Sequence, residues 1–133
     1  MGTISFDNFS RVDIRIGTVV KAEVPEWSHW VIRLKVDFGS EIGERTIFAG
    51  MLKFYKSEEL VNRQFPFVIN IEPKKIGPEG DFSQGTMLAA DLIEDKDKPE
   101  PARNASSKAD AGGESKPILF SLGEPVPNGT KVR

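Results

Sequence analysis

The chain has 133 residues, a net charge of −2 at pH 7 and no cysteine. This length is typical of one domain with its own core, and the lack of cysteine excludes disulfides and thiolate metal sites. Because the N-terminal segment lacks the basic and apolar regions of a secretory signal, we expect a cytoplasmic protein. The weakly negative charge excludes general attraction to nucleic acid, so such binding would need a local basic patch.

The first predicted element is a long strand in the segment DIRIGTVVKAEV. Apolar and charged side chains alternate along it, which is typical of a strand with one buried face. Gly17 interrupts the outward face, where we expect a bend or bulge. The residues predicted to face inward are Ile14, Ile16, Thr18, Val20, Ala22 and Val24.

The same alternation in WVIRLKVDF and RTIFAG predicts a second and a third strand, joined by the turn GSEIGE. Ser57, followed by two glutamates, predicts the N-cap of a short helix. FPFVINI and TMLAADLI then predict a fourth and a fifth strand. In the second strand the residues predicted to face inward are Trp30, Ile32, Leu34, Val36 and Phe38.

This order of elements predicts an all-β fold, a five-stranded OB-fold barrel with one short helix between strands 3 and 4. Residues 94–116 contain no aromatic and no branched aliphatic side chain. We therefore expect a disordered insert between a domain over 1–93 and a C-terminal extension over 117–133. The apolar run in that extension should dock on the barrel or at a dimer interface.

Six motifs occur along the chain in this order: VDIRIG, LKVDFG, IFAGMLKFYKSEELV, NIEPKK, SQGTMLAAD and VPNGTKVR. Together they resemble the tRNA-binding OB-domain family, which includes the C-terminal domain of methionyl-tRNA synthetases, free-standing tRNA-binding proteins and a related export chaperone. The resemblance covers roughly residues 6–92 and 117–133. It implies a homodimer that binds tRNA by shape, acts beside a synthetase or in trans, and catalyses no reaction.

The resemblance also implies which residues bind tRNA. The family's Asn-Leu-x-Pro-Arg-Lys stretch matches residues 70–75, and its Ser-x-Gly-Met stretch matches residues 83–86. Lysines there would contact phosphates, and outward cations on the second and third strands would extend the track. The predicted tRNA-binding residues are Lys74, Lys75, Ser83, Asn70, Arg33, Lys35, Arg45 and Thr86.

The chain departs from the family pattern in three places. The family's Ala-Asp-Lys-Leu before the second strand is Ser-His-Trp-Val at 28–31, and the family methionine after Ser-x-Gly is Thr86. The loop between the two matched stretches is longer and adds Glu79 and Asp81. Each change removes a cation or a contact, or adds an anion, near the expected RNA-binding face.

Other interpretations stay open at this stage. Lysines on half-buried strands also serve simply as solvated surface, and Ser83 before a glycine is also a common turn former. Trp27 is a candidate for stacking on a base or covering an apolar patch of a partner. No metal, cofactor or catalytic site is predicted, because His29 has no cysteine or second histidine to join it. The main alternative function is a chaperone-like peptide-binding module, and a third is an assembly domain of a larger complex.

Overall fold

The computed structural model describes residues 2–93 and 115–133. Its two helices are α1 (Phe6–Ser10) and α2 (Gly39–Ile42), and a 3-10 turn covers Ser57–Glu59. Its strands are β1 (Ile14–Glu23), β2 (Ile32–Asp37), β3 (Glu44–Ala49), β4 (Gln64–Val68), β5 (Lys74–Ile76), β6 (Asp81–Ser83), β7 (Thr86–Met87), β8 (Ala89–Ile93), β9 (Ser115–Leu119) and β10 (Lys131–Val132). Within these residues no helix has the length and hydropathy to cross a bilayer.

The strands form a nearly closed antiparallel barrel in the order β3-β2-β1-β4-β7, with β10 added beside β1. The segment between β6 and β7 approaches the free edge of β3 and closes the barrel. There the Gln84 amide donates to the Thr46 carbonyl at 2.8 Å, and the Phe48 amide donates to the Ser83 hydroxyl at 3.0 Å. The predicted OB-fold barrel is therefore confirmed.

The barrel interior is filled by large apolar side chains from β1 to β4 and from the 3-10 turn region. Phe38 and Phe67 meet edge to face with ring centroids 5.4 Å apart, a preferred aromatic geometry. Each fully buried side chain of this size contributes about 1.5–3 kcal/mol. The largest fully buried side chains among the described residues are Val19, Ile32, Leu34, Val36, Phe38, Ile47, Leu60, Phe65 and Phe67.

Strand β1 changes its inward face partway along. The register with β2 shifts between Val19 and Lys21, so the bulge lies at Val20 and not at Gly17. Val19 is fully buried, whereas Val20 and Val24 are exposed, so the prediction that both valines face inward is wrong. Gly17 is buried, and it leaves room for its neighbours because a Cβ there would lie 2.5 Å from a Val36 methyl carbon.

The two tryptophans differ from the prediction: Trp30 is exposed, and Trp27 is half-buried. Trp30 was expected on the inward face of the second strand, but its side chain is 53% exposed. Ser28 is buried and its hydroxyl accepts hydrogen bonds from the amides of Trp30 and Val31, which holds a turn before β2 begins at Ile32. The alternation of the strand therefore starts after Trp30. Trp27 packs on Phe48, with ring centroids 6.2 Å apart.

The helical segments also differ from the prediction. Around Ser57 a single 3-10 turn forms, with Lys56 at the N-cap and its amide donating to the Glu59 carboxylate at 3.0 Å. Helix α1 begins after Ser5, whose hydroxyl accepts from the Asn8 amide at 3.0 Å. Helices α1 and α2 were not predicted, because four or five residues are too short to show an apolar periodicity.

The predicted fifth strand is divided between two sheets. Only β7 belongs to the barrel, where it pairs with β4, while β8 pairs with β9 in a separate two-stranded sheet. β9 includes Ser115 and Lys116, and the rest of the expected insert lies outside the described residues. The segment that follows runs along the barrel: the Gln64 side-chain amide donates to the Val126 carbonyl at 2.7 Å, and β10 pairs with β1.

Candidate nucleic-acid interface

Strands β5 and β6 form a short hairpin in the region that the sequence predicted as a loop. Gly77 and Gly80 lie in its turn with φ values of 79° and 80°, which glycine adopts at no steric cost. The register places Lys74 opposite Ser83 and Lys75 opposite Phe82. We call residues 74–83 the β5–β6 hairpin.

The hairpin is fastened to the barrel at both ends. At the open end, Ser83 is 7% exposed, and its hydroxyl accepts from the Phe48 amide and donates to the Gly85 carbonyl, both at 3.0 Å. At the turn, Gly77 lies against the indole of Trp27 so closely that a Cβ would overlap the ring. The hydroxyl that the sequence offered to a phosphate is therefore engaged within the protein.

Lys74 and Lys75 are both exposed, but they do not form a side-by-side pair. Neighbouring residues of a strand project to opposite faces, so Lys74 shares a face with Ser83 and Lys75 shares one with Phe82. Within residues 2–93 and 115–133, neither lysine forms an ion pair. As far as the described part of the chain is concerned, both ammonium groups are available to an anionic ligand.

On the outward face of β2, Arg33 and Lys35 differ in their surroundings. The Arg33 guanidinium lies 3.2 Å from the Glu23 carboxylate and 3.5 Å from that of Asp81, and 5.8 Å from the centre of the Phe48 ring. Its charge is thus largely balanced. Lys35 is exposed and lies directly opposite Lys21 on β1, where like charges repel each other.

Arg45 does not lie on the face that carries Arg33 and Lys35. The register sets it opposite the buried Val36, and its guanidinium donates to the carbonyls of Ile69 at 2.7 Å and Gln84 at 3.4 Å. The expected cationic track is therefore not continuous through Arg45, which instead links β3 to the ends of β4 and β6.

Asn70 and Thr86 also occupy different surroundings. The Asn70 side chain accepts from the Asp13 amide at 2.8 Å and donates to the Arg11 carbonyl at 2.6 Å, which ties the start of the hairpin segment to the N-terminal segment. Thr86 is exposed and pairs with Val68 in the short strand β7. Among the predicted tRNA-binding residues, Asn70, Lys35, Lys74, Lys75 and Thr86 are exposed, but the side-chain amide of Asn70 already has two partners.

A groove separates the β5–β6 hairpin from the outward face of β2 and β3. Its volume is about 500 Å³. The carboxylates of Glu79 and Asp81 line it, which are the two anions that distinguish this chain from the family pattern. Phe82, 52% exposed, forms part of its wall. The other lining residues are Arg33, Thr46 and Gln84.

Sequence reasoning overlooked Phe82 as a functional candidate. The available signal was a single aromatic residue in the polar stretch GPEGDFSQG, where no strand pattern demanded an apolar side chain. Exposed aromatic rings beside lysines are the surface chemistry that single-stranded nucleic acid uses. Among residues 2–93 and 115–133, no cluster of histidine and acidic side chains is suited to hold a metal ion. The face offers binding chemistry: cations, a flat ring and hydrogen-bonding groups.

The comparison with known families decides what kind of domain this is. A family model described as "Putative tRNA binding domain" matches residues 14–113, most of the chain. The chain belongs to this tRNA-binding domain family. Methionine–tRNA ligase of Pyrococcus furiosus is 46% identical over 91 residues, which are 68% of this chain and 12% of the ligase. The chain thus spans only a small part of the curated relatives it matches.

Two solved structures of similar size share the fold along nearly the whole chain. A MetRS-related protein from Pyrococcus horikoshii is 32% identical, with a TM-score of 0.78 and 100% of both chains covered. The chaperone CsaA from Bacillus anthracis is 30% identical, with a TM-score of 0.71, and the match covers 99% of this chain and 100% of that one. The chain is thus similar in fold and sequence both to a synthetase-related protein and to a chaperone.

Proposed function

We propose that this tRNA-binding domain binds tRNA without catalysing a reaction, as a cytoplasmic homodimer that acts in trans or beside an aminoacyl-tRNA synthetase. The observation that carries the proposal is the pair of exposed lysines, Lys74 and Lys75, on a hairpin fastened to the barrel. A fastened hairpin loses little conformational freedom when phosphates bind, so more of the electrostatic attraction remains as affinity.

The outward face of β1 and β2 supports the same ligand. Lys21 and Lys35 lie directly opposite each other, and a bound phosphate backbone would relieve their repulsion. Glu23 lies 3.8 Å from Lys21 and offsets only part of this charge. Recognition of tRNA by its shape requires cations arranged on a folded surface and little contact with base edges.

The proposal is tested by titrating bulk tRNA at 50 and 200 mM salt with the wild type and with Lys74→Ala/Lys75→Ala. Each phosphate contact releases counterions, so two lost contacts should weaken binding and reduce the steepness of its salt dependence. Between 50 and 200 mM salt the wild type should lose roughly tenfold more affinity than the double variant, because it makes two more phosphate contacts.

The matched control is Lys53→Ala/Lys56→Ala, which removes the same charge from two exposed lysines before the 3-10 turn. We expect this control to bind tRNA much as the wild type does. Equal losses in the two double variants would mean that only net charge matters. Unchanged binding by Lys74→Ala/Lys75→Ala would reject tRNA binding at the hairpin.

Exposed apolar side chains support the proposed dimer. Helix α1 buries none of its residues, and Phe6 is 78% exposed. The β8–β9 sheet exposes further apolar residues, with Ile93 59% exposed. Apolar surface of this extent on a small domain is typical of an interface between subunits. The other exposed apolar residues in these two segments and directly beside them are Ile4, Phe9, Val12, Leu92, Ile118 and Phe120.

Light scattering after size exclusion tests the dimer directly. We expect twice the monomer mass for the wild type and a monomer for Phe6→Asp or Ile93→Asp, because each places a charge in the apolar interface. The control Val24→Asp changes a valine that is 42% exposed directly after β1, outside both segments, and should remain a dimer. A monomeric wild type at micromolar concentration would refute the dimer.

A chaperone-like peptide-binding function is the alternative, and the exposure of Trp30 favours it. The indole is 53% exposed and meets the half-buried Trp27 edge to face at 6.3 Å, so a fixed aromatic ring is available to an apolar peptide. Binding of an unfolded polypeptide that Trp30→Ala abolishes, with no measurable tRNA binding by the wild type, would favour this function over the first.

A further inference from the structure

Phe82 and Lys75 place a flat ring and a cation side by side on the outward face of the β5–β6 hairpin. They are directly opposite in the antiparallel register, so their side chains share a face with Cβ atoms about 4.5–5.5 Å apart. The Cε atom of Lys75 lies 3.5 Å from the position of a Cβ on Gly80, so the lysine stem extends across the turn. The ring of Phe82 remains 52% exposed.

The barrel does not need this ring. Phe82 is absent from the hydrophobic core cluster, and in the described part of the chain it takes part in no ring–ring pair. Other contacts hold the hairpin: Ser83 with the Phe48 amide, Gly77 with Trp27, and Asp81 with Arg33. Exposing the ring to water is unfavourable, and packing within the protein does not explain why a phenylalanine is found at this position.

The groove beside the ring favours a base over a phosphate. Glu79 and Asp81 line it with negative charge, and the guanidinium of Arg33 is already paired with Asp81 and Glu23. A phosphate would be repelled from this groove, whereas the hydrogen-bonding edge of an uncharged base would find donors and acceptors there. Lys75, directly opposite Phe82 in the register, is the cation that an adjacent phosphate would meet.

We propose that Phe82 stacks on an unpaired base of the bound RNA, with Lys75 contacting a neighbouring phosphate and the polar edge of the base in the groove. This inference rests on the proposed tRNA binding and adds to it. Recognition by overall shape uses helical backbone, but stacking on a side chain needs a base that has left its helix. The hairpin would therefore bind a loop or a single-stranded end.

The test compares Phe82→Ala, Phe82→Leu and Phe82→Tyr by fluorescence anisotropy with two RNAs of equal length. One is a stem with an unpaired loop, and the other is a blunt duplex. We expect Phe82→Ala and Phe82→Leu to weaken loop binding by roughly tenfold, since leucine keeps apolar area but has no flat face. Phe82→Tyr should bind the loop as the wild type does, and duplex binding should be the same in all four proteins.

The salt dependence separates the ring from the cation. Phe82→Ala removes no charge, so its salt slope should equal that of the wild type, whereas Lys75→Ala should reduce the slope by about one counterion. Because Phe82 is half exposed and outside the core, all variants should keep the thermal unfolding midpoint of the wild type to within about 2 °C.

Several results would overturn the inference. Loop binding by Phe82→Leu at wild-type strength, or equal losses on loop and duplex, would show that the ring does not stack. Loss of binding in Lys75→Ala with none in Phe82→Ala would leave tRNA binding standing and remove the stacking site. Absence of RNA binding by the wild type would reject both, and an effect of Phe82→Ala on unfolded peptide alone would assign the ring to the chaperone-like function.

Discussion

The hydroxyl of Ser83 accepts a hydrogen bond from the backbone amide of Phe48 at 3.0 Å, and this bond joins the β5–β6 hairpin to the edge of the barrel. The same hydroxyl donates to the Gly85 carbonyl at 3.0 Å. A serine that the family motif suggested as a ligand for phosphate thus has both its donor and an acceptor position in use. Its effect on RNA binding would be indirect, through the position of Lys74 and Lys75.

Replacing Ser83 should therefore reduce stability. Ser83→Ala leaves the buried Phe48 amide without its partner, and we expect the free energy of unfolding to fall by about 1–3 kcal/mol. Urea denaturation measures this change, with Ser40→Ala in the exposed part of α2 as the control. Unchanged stability together with a large loss of tRNA affinity would instead support a direct contact between the hydroxyl and a phosphate.

The turn of the hairpin should tolerate no side chain at Gly77. Gly77→Ala adds a Cβ that overlaps the Trp27 ring, at a φ of 79° that alanine adopts with strain. We expect a loss of more than about 1 kcal/mol in unfolding free energy and a red shift of tryptophan emission as Trp27 becomes wetter. The control is Gly123→Ala, since a Cβ at Gly123 meets nothing within 4 Å and the φ there is not positive. A wild-type emission spectrum in Gly77→Ala would contradict the contact.

Lys35 and Arg45, both predicted to bind tRNA, should respond in opposite ways. Arg45→Ala removes the bonds to the Ile69 and Gln84 carbonyls, so we expect about 1–3 kcal/mol lower stability and an unchanged salt slope of tRNA binding. Lys35→Ala relieves repulsion from Lys21, so stability should hold while the salt slope falls by about one. The two measurements are urea denaturation and tRNA titration at several salt concentrations. A lower salt slope with unchanged stability in Arg45→Ala would indicate that Arg45 contacts the RNA.

Asp13 should make stability depend on acidity. Its carboxylate accepts from the Arg15 guanidinium at 2.7 Å and lies 3.3 Å from the Lys131 ammonium, and the hydrogen bond from Arg15 is the main reason that its pKa is lowered. Because the folded-state pKa lies below the ordinary value of about 3.9, the unfolded chain takes up the proton first as the pH falls. The stabilisation is complete at pH values above that ordinary value and is lost as the pH falls through the folded-state pKa.

Unfolding free energies between pH 6 and pH 2.5 should therefore fall less steeply for Asp13→Asn than for the wild type. At pH 6 the variant should be about 1 kcal/mol less stable, since the ion pairs are partly exposed. The exposed Asp7→Asn, in α1, is the control. Parallel curves for Asp13→Asn and the wild type would show that the contact with Arg15 and Lys131 does not stabilise the fold.

Much of the fold follows from local patterns. The alternation in β2 predicted its buried side chains Ile32, Leu34 and Val36, because a strand with one face packed on a core has a period of two. The alternation failed at Val20 and Trp30. The bulge at Val20 and the turn that Ser28 stabilises each reversed which side chains point to the core. Neither feature can be read from the positions of apolar residues alone.

For the candidate site, the sequence and its resemblance to the family determined the barrel, its order of strands and the segment in which the exposed lysines occur. Only the tertiary structure decided which of those side chains face a ligand. It engaged Ser83, Asn70 and Arg45 within the protein and left Lys74 and Lys75 open on opposite faces of the hairpin. The physical reason is that a side chain's hydrogen-bond partners come from strands distant in sequence. Local spacing predicts which residue types are present, whereas the closing of the barrel determines which of them already have a partner.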